Sequence, residues 1–366
     1  MKKIFFSFVA LAALAACTKS EVAYEASAEI GFAPAVKNIT KAAISGTYPD
    51  DQPLRVFANY GALDPETVVK DDNISSFATA FLNNVKFTKQ DVSVGTTTVS
   101  AWAGTDAHYS WPNNGSLVFA GYAEPKTGTV GTTQAYDFTN DELTIEGYSQ
   151  STNPANTFDL AWFGRTDKSY NYKSNPTQTV GVTLSHALSW IEIYVLGEGT
   201  TVGDKAWKIT SIVMNNVYNT GDVTCKGNGA GKASWENLGN TTKDSKKENS
   251  ITIFSGEQTL TDNATICETA NTDVLVIPQT PTNVTTTDGK LDPENSVATL
   301  TINYTYQTPA DATMPTQTTI VPLVVNDGWK SGYKYKYTLT FKASEILITP
   351  TYGTWEDGTT DGVTVE

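Results

Sequence analysis

Among the residues of this 366-residue chain able to form a covalent bond, Cys17 stands in the most telling surroundings. It closes the run Leu14-Ala15-Ala16-Cys17, behind Lys2, Lys3 and an apolar stretch from Ile4 to Leu14 that is too short to span a bilayer. Such a segment is an export signal. Small side chains at Ala15 and Ala16 suit a peptidase that cuts between Ala16 and Cys17, and all four positions fit a bacterial lipobox, in which the thiol of Cys17 accepts diacylglycerol. An ordinary secretory signal beside a chance cysteine would not require that match. Several acyl chains, at roughly 0.8 kcal/mol per buried CH₂, hold a mature amino terminus firmly on a membrane. Thr18 to Glu21 begin a polar leash.

The rest of the chain offers little for catalysis. His108 and His186 are the only histidines, and aromatic or apolar neighbours in strand-like contexts mark both as packed or capped side chains rather than bases or ligands. There is no zinc or haem spacing. In GNGAGKA the glycines Gly227 and Gly231 enclose three residues, and Lys232 is followed by Ala233 where a phosphate loop needs Ser or Thr. The acids of TDGKLDPEN fit turn chemistry better than a calcium loop, and nothing favours a glycosidase carboxylate pair. No cofactor, metal or enzymatic activity is expected. With 25 basic against 39 acidic residues, the chain is no general nucleic-acid binder. Once Cys17 is lipidated, Cys225 and Cys267 remain; the oxidising compartment permits a disulfide, and two unrelated thiols are the other reading. Trp102, Trp207 and Trp235 lie in polar surroundings and are the candidates for exposed faces that stack on sugars. They define an alternative function, a monomeric surface lipoprotein that binds glycans.

The elements that must position these residues are strands. TLTINYTY places Leu300, Ile302, Tyr304 and Tyr306 on one face, and YKYKYTLTF does the same with Tyr333, Tyr335, Tyr337, Leu339 and Phe341. Further strands are predicted at 54–60, 117–122, 180–184, 190–196, 209–213, 251–254, 274–277 and 320–325. No long segment has helical periodicity, so the class is all-β, built as antiparallel sandwiches. Two polar stretches, 127–157 and 226–249, read as large surface loops. NYKSNPTQT has linker character. The resulting division is a signal peptide over 1–16, a tether over 17–26, and β-sandwich domains over 27–175 and 176–366.

Several segments together resemble the fimbrillin family of Bacteroides-type bacteria. HYSWPNNGSLVFAGYAEP is similar to its tryptophan-proline turn and aromatic strand, TFDLAWFGRT to its Asp-Leu segment, and VTLSHALSWIEIYV to its histidine-containing strand pair. WKSGYKYKYTLTF with TPTYGTWEDG resembles its carboxyl-terminal strands, and IGFAPAVKNITKA its opening strand and basic turn. Trp190 stands where relatives more often carry a basic residue. The resemblance implies two transthyretin-like β-sandwich domains in tandem, and a stalk or tip subunit of a cell-surface fimbrium. The precursor would be held at the outer membrane by lipid on Cys17, with other fimbrial subunits as partners and room for a ligand on a host or bacterial surface. It also implies a first strand, with Ile30, Phe32 and Val36 alternating, that detaches after cleavage between Lys41 and Ala42. A terminal strand from a neighbour replaces it, and Ile346, Ile348 and Tyr352 mark the donor candidate.

Overall fold

The computed structural model of the chain describes residues 24–36, 48–64, 66–94, 97–125, 130–171, 179–197, 206–239, 249–269, 273–307, 316–342, 346–354 and 363–364. Ala16, Cys17, Lys41 and Ala42 lie outside the described residues, as does the expected boundary between 175 and 176. Among the described residues the only helical pieces are single 3-10 turns at Ile74–Ser76 and Pro154–Asn156.

In the first half, strands β1 (Tyr24–Glu29), β2 (Phe32–Val36), β3 (Leu54–Gly61), β4 (Thr79–Val94), β5 (Thr97–Gly104), β6 (Ser110–Pro112) and β7 (Ser116–Ala123) come first. They are followed by β8 (Thr133–Asp137), β9 (Glu142–Ser149), β10 (Ala161–Phe163) and β11 (Val180–His186). One sheet runs in the order β3-β7-β10-β11-β2-β5-β4-β1-β6, and β3 also pairs with β4, so the sheet closes on itself. Its interior takes alternate side chains: Leu54, Val56 and Ala58 of β3, Phe119 of β7, and Val180, Val182 and Leu184 of β11 surround Phe32 and Phe87. The intervening Phe57, Val118, Ala120 and Tyr122 point outward and are covered by a second layer. Burial on both faces explains why β7 reads SLVFAGYA with no polar alternation.

That second layer corrects the two expected loops. The stretch 127–157 contains the hairpin β8–β9, and 226–249 contains β15 (Ala233–Glu236), which pairs with β14 (Thr220–Lys226). β9 then pairs with β14, giving a four-stranded sheet in the order β15-β14-β9-β8 drawn from both halves of the chain. The sequence disguises β9 because Gly147, at φ 65°, opposes the register shift between Gly221 and Val223. Leu143 and Ile145 alternate inward, and after that bulge the next inward residue is Tyr148.

From the junction onward the second half is a sandwich. β12 (Ser189–Gly197) is flanked by β17 (Thr265–Ile266), β18 (Val274–Val276) and β21 (Tyr333–Phe341), and β21 by β22 (Ile346–Thr354) and β23 (Val363–Thr364). The facing sheet runs β16-β13-β19-β20, from β13 (Ala206–Asn215), β16 (Ser250–Thr259), β19 (Thr299–Gln307) and β20 (Gln317–Pro322). Ile191, Ile193, Tyr335, Tyr337, Leu339 and Phe341 meet Ile209, Ile212, Met214, Ile253, Leu300 and Ile302 across the core. The strand expected at 320–325 begins earlier and stops at Pro322, which has no N–H to extend the ladder. Two pairings depart from the antiparallel arrangement expected from the sequence: β2 with β11 and β12 with β21 are parallel. The chain passes from the first sheet to the sandwich through Ala187 and Leu188, both fully buried.

Close packing at β7 makes one position diagnostic. A Cβ on Gly121 would lie 2.2 Å from the Arg55 carbonyl oxygen and 2.6 Å from the Phe163 ring. Gly121→Ala is therefore expected to lower stability by about 1–3 kcal/mol, read as a reduced denaturation midpoint with unchanged circular dichroism.

Candidate functional site

The strand expected to be the first is the second in the structure, since β1 precedes it and Ile30 lies between the two, and it is held asymmetrically. On one edge β2 runs parallel to β11 along its whole length, Phe32 opposite Val180 and Val36 opposite Leu184. Val180 donates its N–H to the Gly31 carbonyl at 2.8 Å, and this phase turns the N–H groups of Ala33 and Ala35 toward β11. Pro34, which has no N–H, falls on the opposite phase, where β5 pairs with β2 only at Phe32–Trp102. The side chains are anchored more deeply than the backbone. Ile30, Phe32 and Val36 are all buried, and the Phe32 ring meets Phe87 and Phe119 edge-on, each at 5.1 Å. The Ile30 N–H donates to the Tyr109 carbonyl at 2.7 Å.

The terminal strand lies in its own sandwich. β22 pairs with β21 from Phe341–Ile346 to Tyr333–Thr354, and β23 covers part of its outer edge at Thr351 and Tyr352. Ile346 and Ile348 are partly buried against the second core.

The remaining candidates change character. His108 is 78% exposed, with Nδ1 2.9 Å from Glu29 Oε1, so it is a surface group and not the packed one its neighbours suggested. His186 is buried as expected, and its Nδ1 lies 2.8 Å from Asp159 Oδ2, itself buried. This joins the Asp-Leu segment to the histidine strand at the junction between the halves, a pairing that no spacing in the sequence signals. Trp102, Trp207 and Trp235 are not exposed platforms. Trp102 is 6% exposed, donates Nε1–H to the Gln52 carbonyl at 2.8 Å and meets Tyr48 edge-on. Trp207 packs with Tyr304 and Phe341, and Trp235 donates to the Ala187 carbonyl at 2.9 Å. Trp190 is buried with Lys334 Nζ 3.9 Å from its ring centroid.

Cys225 and Cys267 are free, buried and in separate cores. Burial, and secondarily Glu268, pushes the Cys267 thiol up to about 12, and burial alone raises that of Cys225. The glycine turn cannot cradle an anion, because its amides are committed: Gly227 donates to Asp141 O, Gly229 to Ser185 Oγ and Gly231 to Ser331 O. Among the described residues no three His, Cys, Asp or Glu side chains cluster as a metal site, and no helix is long and apolar enough to cross a membrane.

Comparison with known proteins decides the family: the fimbrillin-like profile matches residues 55–355. The chain belongs to the fimbrillin-like family. Its members are structural and non-enzymatic proteins of fimbriae, and this chain is a fimbrial protein in that sense. Residues 1–18 match the prokaryotic membrane lipoprotein lipid attachment site, which marks the fimbrillin-like chain for a membrane anchor. Among solved structures, a fimbrial protein from Bacteroides vulgatus has a TM-score of 0.55 at 18% identity, over 89% of this chain and 99% of its own. A candidate cell adhesion protein from Bacteroides uniformis scores 0.48 at 14% identity, over 90% and 98%. No curated protein matches the sequence.

Two measurements check this geometry. Phe32→Ala should cost about 3–5 kcal/mol and lower the denaturation midpoint, since it empties the centre of the first core. Cys225 and Cys267 should resist a thiol reagent at pH 8 in the folded protein, and both should react at once in denaturant.

Proposed function

We propose that this fimbrillin-like chain is a stalk or tip subunit, exported to the outer membrane as a lipoprotein on Cys17 and polymerised by protease-triggered strand exchange. Its two halves serve as tandem transthyretin-like sandwiches, joined at Ala187–Leu188. The observation that carries this reading is the asymmetric hold on β2: a full ladder to β11, a single pairing to β5, and Phe32 plugged into the core. A strand so held leaves a groove of its own shape when it departs, and the unpaired backbone it exposes is satisfied by another extended segment.

The donor in this proposal is β22. Its sequence Ile346-Leu347-Ile348-Thr349-Pro350-Thr351-Tyr352 repeats the order of Ile30-Gly31-Phe32-Ala33-Pro34-Ala35-Val36, with apolar residues at the first, third and last places and proline at the fifth. Alternate side chains of a neighbour's β22 would then fill the pockets of Ile30, Phe32 and Val36, and its proline would fall where the groove asks for no N–H. β22 would exchange an antiparallel ladder to β21 for a parallel one to β11. Cleavage after Lys41 detaches the lipid, β1 and β2 together, β1 leaving β4 and β6 as β2 leaves β11, whereas Arg55 lies within β3 and between two paired neighbours, so a protease reaches it only by unfolding the strand.

Mild tryptic treatment of the purified precursor should yield a new amino terminus at Ala42 and then oligomers that resist denaturant. An intact monomer, or a cut elsewhere, would count against exchange. Intact mass and amino-terminal sequencing of the protein taken from cells then separate a subunit that loses its lipid from an anchor that keeps it.

A further inference from the structure

A cavity of about 400 Å³ opens beside β11, on the edge away from β2. β10 pairs with β11 only at Ala161–His186 and Trp162–Ser185, and beyond Phe163 the chain turns away. The cause is visible in its hydrogen bonds. Thr166 and Tyr170 stay bonded to β7 at Phe119 and Leu117, while Asp167 and Ser169 bond Val69, Thr67 and Glu66 instead of β11. The departing segment leaves a wedge, shut at one end by the Trp162–Ser185 pairing and by Asn228, which accepts the Gly164 N–H at 2.7 Å.

The chemistry of the wedge follows from the strand phase. Because Val180, Val182 and Leu184 direct their backbone groups to β2, those of Gly181 and Thr183 point the other way, into the cavity. No described residue pairs with them. Other walls are Asp167, whose carboxylate is exposed, the Ser185 hydroxyl and the Tyr170 ring. The positive charges nearby are already matched, Arg165 by Asp71 at 3.0 Å and Lys168 by Glu66. What remains is a mixture of uncharged donors and acceptors, one carboxylate able to accept adjacent hydroxyls, and the Tyr170 ring, over which Lys168 Nζ stands 5.4 Å from the centroid.

We propose that this wedge binds a single neutral sugar ring at the end of a glycan. A peptide strand would satisfy the same backbone groups, but it would have to run on past Thr183 into the closed end, whereas a compact polyhydroxylated ring needs only the mouth. The site is independent of the three tryptophans and of strand exchange, so its failure leaves the fimbrial reading untouched.

Gly181 supplies the test. Its φ lies outside the left-handed region and a Cβ there would meet nothing within 4 Å, so Gly181→Val fills the cavity without disturbing the fold. Saturation-transfer difference NMR of the uncleaved full chain with the methyl glycosides of glucose, galactose, mannose, fucose and N-acetylglucosamine should show at least one binding. Gly181→Val should abolish that signal with an unchanged melting temperature, and Asp167→Asn should weaken it about fivefold or more, the loss of a charge-assisted hydrogen bond. The proposal is overturned if no glycoside binds, or if binding survives Gly181→Val. Slow hydrogen exchange at the Gly181 and Thr183 amides without sugar would also overturn it, because a polypeptide segment would then occupy the edge.

Discussion

Backbone N–H and C=O groups along the inner edge of β11 must be covered, and in this molecule the covering strand comes from more than 140 positions earlier in the chain, at Phe32–Val36. That long-range parallel pairing governs much of the first half. It closes the sheet, it sets the phase that hides Pro34, and it drives Phe32 between Phe87 and Phe119. Hydrogen bonds hold β2 in register, yet the burial of Ile30, Phe32 and Val36 supplies the affinity, since a paired amide contributes only about 1 kcal/mol net and a buried aromatic side chain more.

Much of this was legible in the sequence wherever one face of a strand meets a core and the other meets water. TLTINYTY and YKYKYTLTF alternate because their sheets are covered on one side only, and both strands stand where the pattern places them. The failures have physical causes of equal clarity. β8 turns only Gln134 and Tyr136 partly inward, one of them polar, and so carries no apolar period, and β4 passes through Asn84, at φ 54°, where a bulge breaks its phase against β3. Trp102, Trp207 and Trp235 looked solvent-facing because polar residues are their neighbours in sequence, whereas their neighbours in space are Tyr48, Phe341 and Tyr148.

The candidate site was legible in a different way. Ile30, Phe32 and Val36 could be named from alternation, but not their partners, because nothing local to them predicts a parallel ladder with Val180–Leu184. The Asp159–His186 contact was equally hidden, though the segments that carry both residues had been singled out separately. Cysteines gave the opposite lesson. Their number left a disulfide open, and only the separation of the two cores removes it.

The sheet shared by the two halves has a mechanical meaning. Thr220–Lys226 lies antiparallel to Glu142–Ser149, and around this seam Trp162 donates to Gly227 while Trp235 donates to Ala187. Separating one half from the other therefore has to break this row of bonds and both indole anchors, and not the short Ala187–Leu188 link alone.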